Sequence, residues 1–247
     1  MSVEVTMIGT GSAFAKRYFN NNALVKVDGY QLLLDCGVTA PYALHRLDVG
    51  FTDIDALLVT HIHGDHVGGL EEFAFQMMFK YRKKPVLYVP STIVETLWNS
   101  TLKGAMEVVE QGLDTLDAYF QVIPVEPRKP TALSEGLTVE LIPTLHIPGR
   151  PSYGVLMNDT LFYSSDLVFD EALLTSMIDE GRCRHIMHDC QLIGKGEVHT
   201  TLTELLSLPP RIQERIWLMH YGDEMEQFVG QTGLMKFIEQ HKPYRFE

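Results

Sequence analysis

The sequence predicts an α/β sandwich, and three observations carry that prediction. Strand-like runs alternate with helix-like runs along the whole chain, and two tight hairpin signals, Asp28-Gly29 and Asn158-Asp159, interrupt apolar stretches. The residues best suited to hold a metal each stand just after an apolar, strand-like run. Loops leaving strand ends are where a rigid scaffold displays chemistry.

Taken in order, residues 3–8 alternate as a strand and run into the glycine turn Gly9-Thr10-Gly11-Ser12. G-x-G alone is a weak dinucleotide signal, and here Asn20-Asn21-Asn22 and a second strand follow it in place of an amphipathic helix. Residues 23–27 and 30–35 flank Asp28-Gly29, so the first strands are expected to pair antiparallel. Residues 41–47 read as a short helix, 54–59 as a buried strand, 69–80 as a helix, 85–89 as a strand, 92–97 as the start of a helix and 114–120 as another. Strands are expected at 120–125, 137–142, 153–157 and 160–163, the last two joined at Asn158-Asp159. A helix at 171–179, a buried strand at 185–187, helices from about 202 and 210, and a strand at 216–219 complete the pattern. No short repeat is visible, although the two halves share a strand-rich layout.

With 247 residues and no linker or charge block to divide it, the chain reads as a single domain spanning 1–247. Hydrophobic content of 45% and charged content of 21% exclude a disordered chain. The formal charge of −12 repels long polyanions, so no stable nucleic-acid partner is expected. The longest basic run, Lys80-Tyr81-Arg82-Lys83-Lys84, ends a predicted helix, where cations favour the helix dipole. No leader and no membrane-length apolar run is visible, which predicts a cytoplasmic protein without a membrane partner. Cys36, Cys183 and Cys190 are odd in number and lack C-x-x-C spacing, as expected of reduced packing thiols.

The chemistry is concentrated in Thr60-His61-Ile62-His63-Gly64-Asp65-His66. A strand ending at Thr60 delivers His61 and His63 to one side, and Gly64 permits a sharp turn that lets Asp65 and His66 face a second ion. Neutral imidazole and carboxylate together suit zinc, and two groups of ligands suit a pair of ions. His146, Asp166 and His220 follow later strand-like runs and join the candidates, although His146 and His220 also read as packed histidines.

This pattern resembles the metallo-β-lactamase superfamily over nearly the whole chain. The resemblance implies an αββα sandwich with two mixed sheets and two Zn²⁺ per chain. It places His61, His63 and His146 on one ion, Asp65, His66 and His220 on the other, and Asp166 between them. Gly9-Thr10-Gly11-Ser12-Ala13, Thr60 before the first His, and His199-Thr200-Thr201 ahead of His220 are similar to the ribonuclease Z branch and its cyclic-nucleotide phosphodiesterase relatives. There a His like His199 approaches the scissile phosphate. His199 also reads as a helix-entry residue beside the cap candidates Thr200, Thr201 and Thr203. His188-Asp189 is expected to lie behind the ligands and orient His199 or one of them, while His45 and His241 are expected on the surface.

Two departures from ribonuclease Z narrow the reading. Residues 15–22 replace its proline-led loop, and residues 102–120 are too short and acidic for its tRNA-gripping arm. The chain is therefore most similar to the anti-Pycsar cyclic mononucleotide phosphodiesterases, which implies hydrolysis of cyclic CMP and cyclic UMP to 5′-monophosphates. On that resemblance Asp65 orients the attacking water and His199 donates the leaving-group proton. A base would stack on Tyr18, Phe19, Tyr153 or Tyr221. A homodimer is expected from the family and from the apolar run at 73–79. The alternatives are a ribonuclease Z-like nuclease, disfavoured by charge and the missing arm, and a metal-bound nucleotide sensor, which has no need of His199.

Overall fold

Two hairpin turns set the first pairings. Asp28 and Gly29 have φ of 49° and 87°, and Asn158 and Asp159 have φ of 50° and 46°. Two consecutive positive φ values match the right-handed twist of the flanking strands and join them antiparallel. The structure, a computed structural model, describes residues 2–247. The first half lays down β1 (Val3–Gly9), β2 (Asn22–Val27), β3 (Tyr30–Leu34), β4 (Ala56–Leu58), β5 (Val86–Pro90) and β6 (Gln121–Val125). The second half adds β7 (Thr131–Ala132), β8 (Thr138–Thr144), β9 (Ser152–Met157), β10 (Leu161–Tyr163), β11 (His185–Asp189), β12 (Ile216–Met219) and β13 (Lys236–Phe237). The last strand, β14 (Pro243–Phe246), returns to pair with β1.

Both sheets have seven strands, in the orders β14-β1-β2-β3-β4-β5-β6 and β13-β12-β11-β10-β9-β8-β7. In the first, the pairings from β14 to β3 are antiparallel and those from β3 to β6 parallel. The second repeats this, antiparallel from β7 to β10 and parallel from β10 to β13. The two halves thus share one layout.

Period-two alternation sends side chains to two kinds of core. Leu32, Leu34, Ala56 and Leu58 meet Leu161, Tyr163, Met187 and Met219 between the sheets. Their alternates Leu33 and Leu57 pack outward on Ala43, Leu44, Leu70 and Phe73. On the far side Phe162, Ile186 and Leu218 pack on Leu174, Leu205 and Ile212. Helices cover both outer faces, giving the αββα order. Full burial of each such side chain contributes about 1.5–3 kcal/mol.

Several expectations are corrected. The helix expected over 69–80 runs from Leu70 to Lys80, α-helical to Phe75 and more widely wound over Gln76–Lys80, and a separate helical turn, Gly64–Val67, precedes it. The apolarity of 73–79 is explained by packing, since Phe73, Ala74 and Met77 are core residues and Phe79 is about half exposed. β7, β13 and β14 were not anticipated, because two are two residues long and the third begins with proline. His185–Asp189 is strand throughout, so His188 and Asp189 lie within β11. His241 is half-buried, with Nε2 3.1 Å from the Ile8 carbonyl, whereas His45 is exposed as expected. All three cysteines are buried and unpaired.

Candidate metal centre

The site lies where the two sheets present their loops. β4 leads to His61, His63, Asp65 and His66; β8 leads to His146; β10 to Asp166; β12 to His220. At the ends of β3, β10 and β12, Asp35, Ser165 and His220 hold φ of 62°, 54° and 56°. Non-glycine residues keep that conformation only where their surroundings dictate it, and such strain clusters at functional sites.

Two groups of ligand atoms result. His61, His63, His146 and Asp166 each offer one atom within 4.8 Å of the others, and so do Asp65, His66, Asp166 and His220. In the first group His63 Nδ1 lies 3.0 Å from His61 Nε2 and 3.2 Å from His146 Nε2. Asp166 Oδ2 lies 3.8 Å from both of those Nε2 atoms. In the second group His66 Nε2 and His220 Nε2 each stand 3.4 Å from Asp65 Oδ2 and 3.4 Å from Asp166 Oδ2. A tetrahedron with arms of about 2.0–2.1 Å has edges of about 3.3–3.4 Å, so both groups have the span of a cation site. His66 Nε2 and Asp166 Oδ1 are buried without a hydrogen-bond partner, a costly arrangement unless something else engages them. The donor set and the orphaned atoms fit a pair of divalent cations.

The imidazoles are oriented from behind. His66 Nδ1–H donates to Asp35 Oδ2 at 2.7 Å and His146 Nδ1–H to the Val198 carbonyl at 2.7 Å, which turns each Nε2 toward the cluster. Asp35 also accepts from the Thr60 amide and hydroxyl, both at 2.8 Å. Asp35 was missed in the sequence, although it is the last residue of the 30–35 run, because nothing local marks it as a partner for a histidine 31 positions away.

Charge divides the two groups. Burial, reinforced by the neighbouring His66, holds His61 well below the ordinary histidine value, and burial with adjacent imidazoles lowers His63 and His146. Burial opposes charging of His66 and His220 too, but carboxylates including Asp166 and Asp65 outweigh it and raise both. Burial would raise Asp65 and Asp166, yet His66 and His220 hold both well below the carboxylate range. The second group thus demands positive charge, which a cation would supply in place of protons.

His199 sits beside both groups and is about one-fifth exposed. Its Nδ1–H donates to Asp189 Oδ2 at 3.0 Å. Burial raises Asp189, but His188 and His199 pull it below the carboxylate range. His188 Nδ1–H donates to the Asp189 carbonyl at 2.7 Å and lies 3.2 Å from Asp189 Oδ1, so of the two it is Asp189 that reaches His199. The neighbouring threonines have structural work. Thr200 Oγ1 donates to the Leu167 carbonyl, and Thr201 forms a reciprocal cap with Glu204 at the head of helix Leu202–Leu206.

A cleft of about 580 Å³ opens over the site, lined by Phe14, Val38, His63, Asp65, Asp166 and His199 among others. That volume suits a small ligand. The aromatics expected to hold a base are placed elsewhere. Tyr153 and Tyr221 are buried and bonded to Thr92 and the Ile238 carbonyl, Tyr18 sits edge-on to Tyr221, and Phe19 packs between Tyr42 and His241. Phe14, 88% exposed, is the aromatic over the cleft, and only its exposure singles it out.

A family model described as "Anti-Pycsar protein Apyc1" matches residues 3–244. A relative of that name from Paenibacillus xerothermodurans is 54% identical over 246 residues, covering 100% of this chain and 98% of the relative. Another, from Bacillus phage BSP38, is 41% identical over 255 residues, covering 98% of each. Among solved structures, the metallo-β-lactamase fold protein YhfI from Bacillus subtilis superposes with a TM-score of 0.75 at 18% identity, covering 99% of each chain. The short form of human tRNase Z gives 0.68 at 17% identity, covering 98% of each. These structural likenesses establish the metallo-β-lactamase fold.

Proposed function

Because the chain belongs to the Anti-Pycsar protein Apyc1 family, we propose that it is a zinc-dependent phosphodiesterase that opens 3′,5′-cyclic mononucleotides to nucleoside 5′-monophosphates. Cyclic CMP and cyclic UMP are the expected substrates, with cyclic AMP and cyclic GMP in the same class, and the role is evasion of a cyclic-nucleotide immune signal. The observation that carries this reading is Asp166 Oδ2, which faces imidazole nitrogens of both groups at 3.4–3.8 Å with His199 Nδ1 4.0 Å away.

Two Zn²⁺ per chain would be held, one by His61, His63 and His146 and one by Asp65, His66 and His220, with Asp166 common to both. When bound, such a pair supplies water acidified towards neutrality and offsets phosphate charge. Asp65, with Oδ2 toward His66 and His220, has its other oxygen to orient the attacking water. His199, fixed at Nδ1 by Asp189, presents Nε2 to donate a proton to the departing ribose oxygen. Phe14 and Val38 offer the base an apolar wall, and the cleft accommodates one nucleotide. The chain acts as one domain in a cytoplasmic homodimer. Among the described residues no helix is long and apolar enough to cross a membrane.

A substrate panel tests the reading. Zinc-loaded protein incubated with cyclic mononucleotides, precursor tRNA and a model diester should consume the cyclic nucleotides and leave the tRNA intact. Trimming of the tRNA would favour a nuclease, and tight binding of cyclic nucleotide without turnover would favour a sensor.

A further inference from the structure

The glycine turn and the asparagine run that follows it have no role in the chemistry above, yet they meet at its edge. A side chain at Gly9 would collide with the backbone of Phe19 and Asn20, so this turn exists for close packing of the loop. Gly11 bridges to both Asn20 and Tyr221, the Asn21 amide donates to the Gly11 carbonyl at 2.9 Å, and the Tyr221 amide donates to the Thr10 carbonyl at 3.1 Å. The first loop is thereby knitted to the segment that carries His220.

Asn20, Asn21 and Asn22 are all buried, and their side chains tie the loop after β3, the loop after β4 and the segment of His220 together. Asn20 Oδ1 accepts from the Thr39 amide and hydroxyl at 3.1 and 3.0 Å. Asn22 Oδ1 accepts from the Gly37 amide at 2.8 Å, and its Nδ2 donates to the Asp65 carbonyl at 3.0 Å. Asn21 Oδ1 accepts from the His220 amide at 3.2 Å, and its Nδ2 donates to Tyr163 Oη at 2.8 Å. The orientation of both amides follows from their partners, because a backbone N–H only donates and a carbonyl only accepts.

We propose that Asn21 and Asn22 are positioning residues that set the gap between Asp65 and His220, a pair within the second cation group whose members come from opposite sheets. Adjacent residues at the entry to β2 grip the backbone of each, Asn22 at Asp65 and Asn21 at His220, while the ligand atoms Asp65 Oδ2 and His220 Nε2 stand 3.4 Å apart. The Asn21 bond falls on the amide of a residue held at φ of 56°, a conformation that needs external support. Tyr163, fully buried in β10, locks the Asn21 amide from the other side. The pair therefore acts on one group and leaves His61, His63 and His146 alone.

This inference rests on the two-cation reading, and a metal-release experiment separates the two. Zinc-loaded wild type, Asn21→Ala and Tyr163→Phe are challenged with a chromophoric chelator, with the melting temperature of each metal-free protein measured in parallel. Wild type should hold two ions, and Asn21→Ala should hold one of them about 10–100-fold more weakly while keeping the other at wild-type strength. Tyr163→Phe, which removes one oxygen and preserves the ring, should shift the same ion in the same direction by less, and it decides the matter should Asn21→Ala fail to fold. Wild type holding a single ion would overturn the two-cation reading and this inference with it. Two ions in wild type, released at wild-type rates from every variant that folds, with only the metal-free melting temperature lowered, would overturn the inference alone.

Discussion

Asp189 Oδ2 accepts a 3.0 Å hydrogen bond from His199 Nδ1. A buried carboxylate on Nδ1 fixes the direction of the ring, and in the doubly protonated imidazolium the second proton, on Nε2, is the one handed to a leaving group. His199→Ala should fold normally and retain its metal while turnover of cyclic nucleotide falls by about 10² to 10⁴-fold, with substrate affinity changing much less. A diester of p-nitrophenol departs without protonation, so the same variant should be far less impaired on it. Equal losses on both substrates would instead assign His199 to holding the phosphate.

Asp166 faces both ligand groups, so Asp166→Ala should lower metal content as well as activity, and His61→Ala should release metal from the first group. Elemental analysis after gel filtration measures it. Two ions in wild type and two in Asp166→Ala would remove Asp166 from its shared position.

Asp35 never reaches the cleft, yet it holds His66 at 2.7 Å and Thr60 twice at 2.8 Å. Asp35→Ala leaves those buried donors unpaired, at a cost of roughly 1–3 kcal/mol in stability. It should also weaken metal binding about 10–100-fold. Chemical denaturation and a metal titration read the two effects separately. Unchanged metal affinity would limit Asp35 to a structural role.

Acid should release the two ions in order. Protons compete with metal for imidazole nitrogens, and a raised histidine pKa moves that competition to higher pH. His66 and His220 are raised by the carboxylates around them, whereas His61, His63 and His146 are lowered by burial and by one another. As the pH falls, the ion held by the second group should leave first and the other at lower pH. An acid titration of cobalt-substituted protein followed by absorbance resolves the steps, and a single concerted loss would contradict the charge division described above.

Much of this was legible in the sequence. The β2–β3 and β9–β10 turns announce themselves through Asp28-Gly29 and Asn158-Asp159, and helix Glu171–Asp179 and the apolar run of strand Ile216–Met219 fall where the sequence places them. The candidate ligands were marked by the His61–His66 run, by the apolar runs that His146, Asp166 and His220 follow, and by the family resemblance. What escaped is long-range: β14 pairs with β1 across the whole chain, Asp35 meets His66, and Asn21 meets His220. A lone Asp or Asn has no local pattern that names its distant partner. The same applies to Phe14, whose place over the cleft depends on two loops meeting, with Asp223 accepting from the Lys16 and Arg17 amides.

The central claim is that this site opens a cyclic phosphodiester, and the product of that reaction is its most direct test. Zinc-loaded protein incubated with cyclic CMP or cyclic UMP, and resolved by chromatography against both monophosphate standards, should yield the nucleoside 5′-monophosphate alone. Activity should disappear on chelation and return with zinc. Intact cyclic nucleotide after prolonged incubation with fully loaded protein, or turnover that chelation leaves untouched, would contradict the account.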